Sequence, residues 1–380
     1  MDRRDFIKYS TASLAGLSLI DFISLGDVLA AGKGGKYSVV ILGDTHFDAM
    51  DPEVYHAGYS LPLNPKREAN HRKEFVRNGK MWQENCPRLV KRAGRLVDKD
   101  TRYIFQTGDL IHGDTADADT HKRFLDDAMS RLKTDLASGL PLVTVAGNHD
   151  LRGNDDAVCA RAYSDYMVPR MSSELGQEIS STNFLFRCGP DVFIVVNFSD
   201  PDIPAIERML GEASGARHIF MLIHSPVFPF DSAKYWWWFL LGDRQDSRAA
   251  ERRHIRSLLA RNNVIVLCGH VHTTEFMDWY GDGGRITQMT MSSVWSKASM
   301  GEYSESENRP EQYGTLLFDK DPKLLNGIAP ALFDEYRPGL KAYSRSVAVG
   351  SYKLIVDGRH VYVDFYAGDS PRLSKRFTLR

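Results

Sequence analysis

The chain has 380 residues, 43% hydrophobic and 26% charged, the balance of an ordinary globular protein of one large domain or two. Its formal net charge of −1 excludes the dense basic footprint that grips nucleic-acid backbones or anionic membranes. Cys86, Cys159, Cys188 and Cys268 are too scattered for a C-x-x-C pair and read as buried or incidental thiols, with any disulfide left open.

The first thirty residues differ in kind from the rest. Asp2-Arg3-Arg4-Asp5-Phe6-Ile7-Lys8 leads into an uncharged run from Tyr9 to Ile20, and Val28-Leu29-Ala30 offers small residues at a cleavage point. A basic start, a short apolar core and a small-residue site describe a secretory signal. The paired arginines followed by Asp-Phe-Ile-Lys resemble a twin-arginine export signal, with Asp2 where Ser or Thr more often stands. The core is too short to span a bilayer. Residues 1–30 therefore read as a signal peptide, and the chain as exported, periplasmic or secreted. Without them the chain carries 45 basic and 45 acidic side chains. Ala31 to Lys36 lacks the spacing of a phosphate-binding loop and reads as a flexible linker.

Tyr37 to Leu42 is a short apolar run that predicts a buried strand. Residues 47–65 read as loop, punctuated by Pro52, Pro62 and Pro65; residues 66–98 read as helix, broken near Pro87. Strands follow at Arg102 to Gln106 and Leu142 to Val145, with helices at 119–137 and 155–167. Phe184 to Phe186 and Val192 to Phe198 flank the turn Gly189-Pro190-Asp191. A helix at Ile203 to Leu210 precedes a strand at Ile219 to Ile223, and a helix at Ser247 to Arg261 feeds the strand Val264 to Leu267. Glu275 to Tyr280 and Ile286 to Met291 predict a hairpin around Gly281-Asp282-Gly283-Gly284. Residues 296–342 are irregular and polar, and Asp357-Gly358 joins a last hairpin of Val347 to Val356 with Arg359 to Tyr366. Strands alternating with helices, plus hairpins, indicate an α/β protein with some antiparallel pairing.

Four strands end alike. Gly43-Asp44, Gly108-Asp109, Gly147-Asn148 and Gly269-His270 each place a ligand-type side chain after a glycine, and His224 ends a fifth strand. Carboxyl ends of strands are where open α/β sheets bind ligands. Asp44/His46 and His270/His272 are i, i+2 pairs, which an extended backbone would put on one face. One such strand end is usually just a turn. Five of them carry imidazoles, two carboxylates and an amide, a mixed shell that suits transition metals better than calcium or magnesium.

These residues resemble the calcineurin-like metallophosphoesterases. Gly43-Asp44-Thr45-His46, Gly108-Asp109, Gly147-Asn148-His149-Asp150, His224 and Gly269-His270-Val271-His272 match the family's five signatures in order, from residue 37 to about 292. The resemblance implies a four-layer α/β/β/α sandwich of two mixed sheets flanked by helices. It makes residues 37–295 the metallophosphoesterase domain, with 296–380 completing it. It implies two metal ions, of Fe, Zn or Mn. Asp44, His46 and His272 would hold the first and Asn148, His224 and His270 the second, with Asp109 bridging both. A hydroxide shared by the metals would attack phosphorus. His149 would donate a proton to the leaving group or stabilise its charge, and Asp150 would orient that imidazole and raise its pKa. His112 stands where purple acid phosphatases carry a metal-binding Tyr, and it is a candidate for substrate contact or support.

The implied function is hydrolysis of phosphate monoesters or small phosphodiesters, with a small phosphorylated substrate as partner. Neutral charge argues against nucleic acid, and no stable membrane anchor is expected. A nuclease or nucleotide phosphodiesterase is the alternative, and a non-catalytic metal-stabilised binding protein is the third. The run Tyr235-Trp236-Trp237-Trp238-Phe239 reads either as core under a loop or as the wall of a substrate pocket.

Overall fold

The computed structural model describes residues 35–199, 201–242, 247–294, 303–316, 320–321, 323 and 327–380. The signal-peptide reading of residues 1–30 lies outside them, as does part of the polar stretch 296–342. Among the described residues no helix is long and apolar enough to cross a membrane.

Two mixed sheets face one another and are flanked by helices, the architecture the motifs implied. The first has six strands in the order β13-β12-β11-β1-β2-β3. Its parallel part is β1 (Lys36–Leu42), β2 (Thr101–Gln106) and β3 (Leu142–Thr144). The second has seven, in the order β10-β8-β9-β7-β6-β5-β4. Here β4 (Phe184–Cys188) pairs antiparallel with β5 (Asp191–Val196), which runs parallel to β6 (Ile219–Ile223) and so on to β7 (Ile265–Cys268).

The near-continuous apolar runs follow from burial on both faces. Along β5, Phe193 and Val195 enter the core between the sheets, while Val192, Ile194 and Val196 enter the core under the outer helices. Phe193 stacks on Phe220 of β6, ring centroids 4.6 Å apart, and meets Phe105 of β2 at 5.2 Å. The strands' own alternation therefore ties each sheet to two layers.

Helices α1 (Glu53–His56), α2 (Pro65–Gly94), α3 (Ala118–Leu136) and α4 (Asp156–Leu175) lie in the segments that join the parallel strands of the first sheet and lead on to the second. The expected break at Pro87 does not occur, and α2 runs through it. An interior proline costs about 3 kcal/mol. Trp82 and Cys86 before it, and Leu89, Val90 and Ala93 after it, are all fully buried, so packing on both sides holds the helix together. Beyond the second sheet's parallel strands lie α5 (Ile203–Glu212) and α6 (Ala249–Arg261).

The expected hairpin forms as β8 (Thr274–Gly281) and β9 (Gly284–Thr290). The polar stretch that read as irregular holds α7 (Ala329–Tyr336) and β10 (Leu340–Ser346), which pairs with β8. The last hairpin, β11 (Gly350–Asp357) and β12 (His360–Ala367), joins the first sheet through β1, and β13 (Lys375–Thr378) adds an unpredicted edge strand. The four cysteines are free and buried.

Candidate metal centre

Because β1, β2 and β3 are parallel neighbours, and β6 and β7 likewise, the five loops at their carboxyl ends meet on one side of the molecule. Two glycines permit the meeting. A Cβ at Gly147 would overlap both the backbone nitrogen and Oδ1 of Asp109, and a Cβ at Gly269 would overlap Asp44 Oδ1. Any larger residue would push a buried carboxylate out of place.

Two clusters result. Asp44, His46, Asp109 and His272 form one; Asp109, His224 and His270 form the other. In the first, His272 Nε2 lies 3.0 Å from Asp44 Oδ2 and 3.1 Å from His46 Nε2. In the second, His270 Nδ1 lies 3.1 Å from His224 Nε2, and Asn148 Oδ1 lies 3.2 Å from the same nitrogen. Asp109 Oδ2 stands between them, 3.7 Å from His46 Nε2 and 3.3 Å from His224 Nε2.

The predicted ligand-type residues come together, but not through extended backbone. An extended backbone would put each i, i+2 pair on one face, but His46, His270 and His272 have φ of 43°, 72° and 52°. Asp109, at φ 51°, shares that left-handed region. The pair His270/His272 is in fact split, one imidazole in each cluster. Non-glycine residues held there cost of order 1–3 kcal/mol each, and such strain gathers where a site needs it. The surrounding bonds impose it here: the backbone N–H groups of Thr45 and His46 both donate to Asp109 O, and His270 N–H donates to Asp44 Oδ1 and Oδ2, both 3.1 Å away.

The electrostatics fit a cation. Burial alone would raise the Asp109 carboxyl, yet the imidazoles of His224, His149 and His46 hold it well below the usual carboxylate range. Asp44 is also lowered, against burial, by His224 and His272. Burial pulls His46 down to about 4 and His270 to about 3, so both rings are neutral with lone pairs to offer. His224 goes the other way, to about 9, because Asp109 and Asp44 outweigh its burial. The donor set therefore combines ionised carboxylates with the neutral imidazoles of His46 and His270, converging within 4.8 Å, while His224 would give up its proton to bind a metal, chemistry that mixed-shell transition metals use.

His149 sits beside the first cluster, its ring centroid 4.5 Å from His46, and its backbone N–H donates to Asp109 Oδ1 at 2.8 Å. Its Nδ1 lies 2.7 Å from the carbonyl oxygen of His112, which fixes the protonated nitrogen and leaves Nε2 bare. Burial and the nearby Arg152 hold this imidazole well below its usual range. Asp150 does not orient it. The Asp150 carboxylate instead accepts from Ile111 N–H at 3.0 Å and Gly147 N–H at 2.9 Å, lacing the loops after β2 and β3 together. The cause is local: residues 149–151 form a 3-10 turn, where successive side chains point in different directions. The orienting group is the His112 backbone, which no side-chain pattern announces.

His112 joins His46 and His149 in a third group of imidazoles, its ring against the amide of Asn78 from α2. Reading from sequence missed Asn78, and it missed the buried pair Arg152–Asp114 behind His149, 2.5 Å apart. His56 and His71 bond Asp48 at 3.2 Å and Asp114 at 3.3 Å in the same buried network. A faint signal existed, since Asp114 and Arg152 lie two residues beyond His112 and Asp150. Phe198 and Trp238 flank His270, with ring centroids 6.1 Å and 4.9 Å away.

A family model described as calcineurin-like phosphoesterase matches residues 37–274. The solved structure of PhoD is similar at a TM-score of 0.50 and 12% identity, over 92% of this chain and 69% of that one. GAP50, described as the anchor in the inner membrane complex of Plasmodium, is similar at a TM-score of 0.50 and 12% identity, over 90% of this chain and 88% of its own. At such identities the likeness concerns the fold alone. No curated protein matches the chain in sequence.

Proposed function

This chain belongs to the calcineurin-like phosphoesterase family, and from that premise we propose that it is an exported dinuclear-metal phosphoesterase acting on phosphate monoesters or small phosphodiesters. One observation carries the reading: a single buried carboxylate oxygen, Asp109 Oδ2, faces an imidazole of each cluster, at 3.7 Å and 3.3 Å. Asp44, His46 and His272 would hold one ion and Asn148, His224 and His270 the other, with Asp109 shared. Bound metals would supply Lewis acidity toward the phosphoryl oxygens and a nucleophile at neutral pH.

The chain's own residues do the rest. The backbone of His149 holds Asp109 Oδ1, so the bridging carboxylate keeps its orientation. His112 O holds His149 Nδ1, which leaves Nε2 to face a bound phosphoester. In the free protein that ring is neutral. The charge of a bound phosphoester favours its protonated form, which can donate to the departing oxygen. Asp150 keeps the two loops in register.

Export rests on the amino-terminal pattern. Arg3→Lys with Arg4→Lys is expected to leave the protein in the cytoplasm, and unchanged export would overturn the twin-arginine assignment. For the chemistry, the decisive experiment measures metal content and then assays an aryl phosphomonoester and the matching diester side by side. About two metals per chain with turnover of at least one ester is the expected result. A fully metallated protein that turns over neither would sink the hydrolase reading.

A further inference from the structure

Three consecutive tryptophans stand beside the centre, and the chemistry just proposed uses none of them. Trp238 packs against His270 at 4.9 Å, and Tyr235 packs against Trp238 at 4.0 Å with planes 31° apart. The Lys234 ammonium lies 4.8 Å from the Tyr235 ring centroid. Trp237 meets Trp238 almost at right angles, 87°, with centroids 6.0 Å apart, and it stays 40% exposed.

The loop is held. Trp238 N–H donates to Tyr235 O and Phe239 N–H to Trp237 O, each at 2.9 Å, while Leu240 N–H donates to Pro226 O at 2.7 Å. Phe239 and Leu240 are buried in the core under the outer helices. Upstream, the Asp231 carboxylate accepts from Gly314 N–H at 2.8 Å, and Tyr313 O–H donates to Pro229 O at 2.7 Å. Core packing thus accounts for Phe239 and for Trp236, which packs against the same core, but not for Trp237.

We propose that Trp237 and Trp238 form a subsite for a flat aromatic group carried on the esterified alcohol of the substrate. This rests on the phosphoester reading of the neighbouring centre and narrows its substrate class. Tyr235 and His270 already pack on Trp238, so the exposed indole of Trp237 gives an incoming ring its stacked contact, an arrangement aromatic pairs favour beyond the area they bury, with Trp238 bracing it from the side. A saturated chain gains the area alone. Contact of Trp238 with His270 places the subsite within one small alcohol's length of the candidate ligands. Lys234 is the one cation of residues 225–242, too little charge for a grip on an anionic lipid surface.

The test uses the metal-loaded full chain and matched pairs that differ by one phenyl ring. Binding of 2-phenylethylphosphonate and ethylphosphonate is measured by calorimetry, and turnover of the corresponding phosphates is followed in parallel. The alkyl oxygen is chemically alike in both esters, so leaving-group reactivity does not confound the comparison. The phenyl compound is expected to bind roughly tenfold tighter, which corresponds to ~1.4 kcal/mol. Trp237→Ala should bring the ratio near one with metal content unchanged, and Trp237→Phe should keep most of the preference. Equal binding of the two phosphonates by the native chain would overturn the subsite, as would a preference that survives Trp237→Ala. Trp237-dependent binding to anionic phospholipid vesicles without phenyl discrimination would overturn it too. Turnover of ethyl phosphate reports separately on the hydrolase, so the two ideas fail in distinguishable ways.

Discussion

Two of the protein's buried carboxylate clusters are resolved in opposite ways. At the strand ends, Asp44 and Asp109 are held ionised by imidazoles and backbone N–H groups. Where β8 and β10 meet, Glu275 lies near Asp231 and Glu307 with Arg345 close by, and Tyr343 O–H donates to Glu275 at 3.3 Å and to Glu307 at 2.9 Å. There burial, with Asp231 and Glu307 adding to it, pushes Glu275 up to about 8 against the pull of Arg345. One cluster keeps its negative charge beside a protonated His224 and the neutral rings of His46 and His270. The other discharges it by keeping a proton. At the strand ends the preserved charge offers donor oxygens to a cation, and at the β8–β10 joint the retained proton avoids a buried charge.

The largest effect should come from removing the shared charge. Asp109→Ala is expected to lower kcat/KM by roughly 10³-fold or more and to reduce bound metal at both positions, read by elemental analysis. Loss of only one ion would break the bridging assignment. His149→Gln should cost roughly 10²-fold or more in kcat while metal content stays intact. If metal were lost instead, His149 would belong with the ligands.

Gly269→Ala tests the geometry, because its Cβ overlaps Asp44 Oδ1. A destabilisation of about 2 kcal/mol in denaturant melts, together with weaker metal retention, is expected. Full retention of both would mean that the loop after β7 has slack the structure does not show.

Glu275→Gln addresses the other cluster and should have the smallest effect on activity and metal content. The folded pKa of Glu275, about 8, lies above the unfolded value of about 4.3, so its protonated form adds stability that is complete below the unfolded value. That contribution is lost as pH rises through 8. The glutamine cannot lose it, so the variant should gain on the native chain by roughly 2–3 kcal/mol between pH 6 and pH 8.5. An unchanged difference across that window would show Glu275 to be ionised throughout. Metal content should be unaffected.

Much of the framework was legible before any coordinates. Strands β1, β2, β6 and β7 and their glycine-led ends can be read directly, because a strand buried on both faces must be apolar along its length and a sharp exit favours glycine. The ligand-type side chains are visible for the same reason: they interrupt apolar runs abruptly. The continuity of α2 through Pro87 was not legible, since it depends on partners far along the chain. Nor was the last edge strand β13, which is short and half exposed.

Sequence alone determined which residue types stand at the five strand ends and that they form a mixed nitrogen and oxygen donor set. Tertiary structure decided how they are shared out. Left-handed backbone at His46, Asp109, His270 and His272 sends His270 to one cluster and His272 to the other, and that conformation is imposed by bonds between distant loops. It also gave the orienting of His149 to a backbone carbonyl at His112 and left Asp150 to fasten two loops. A residue's chemistry is written in the chain, but the direction its side chain faces depends on which other segments fold against it.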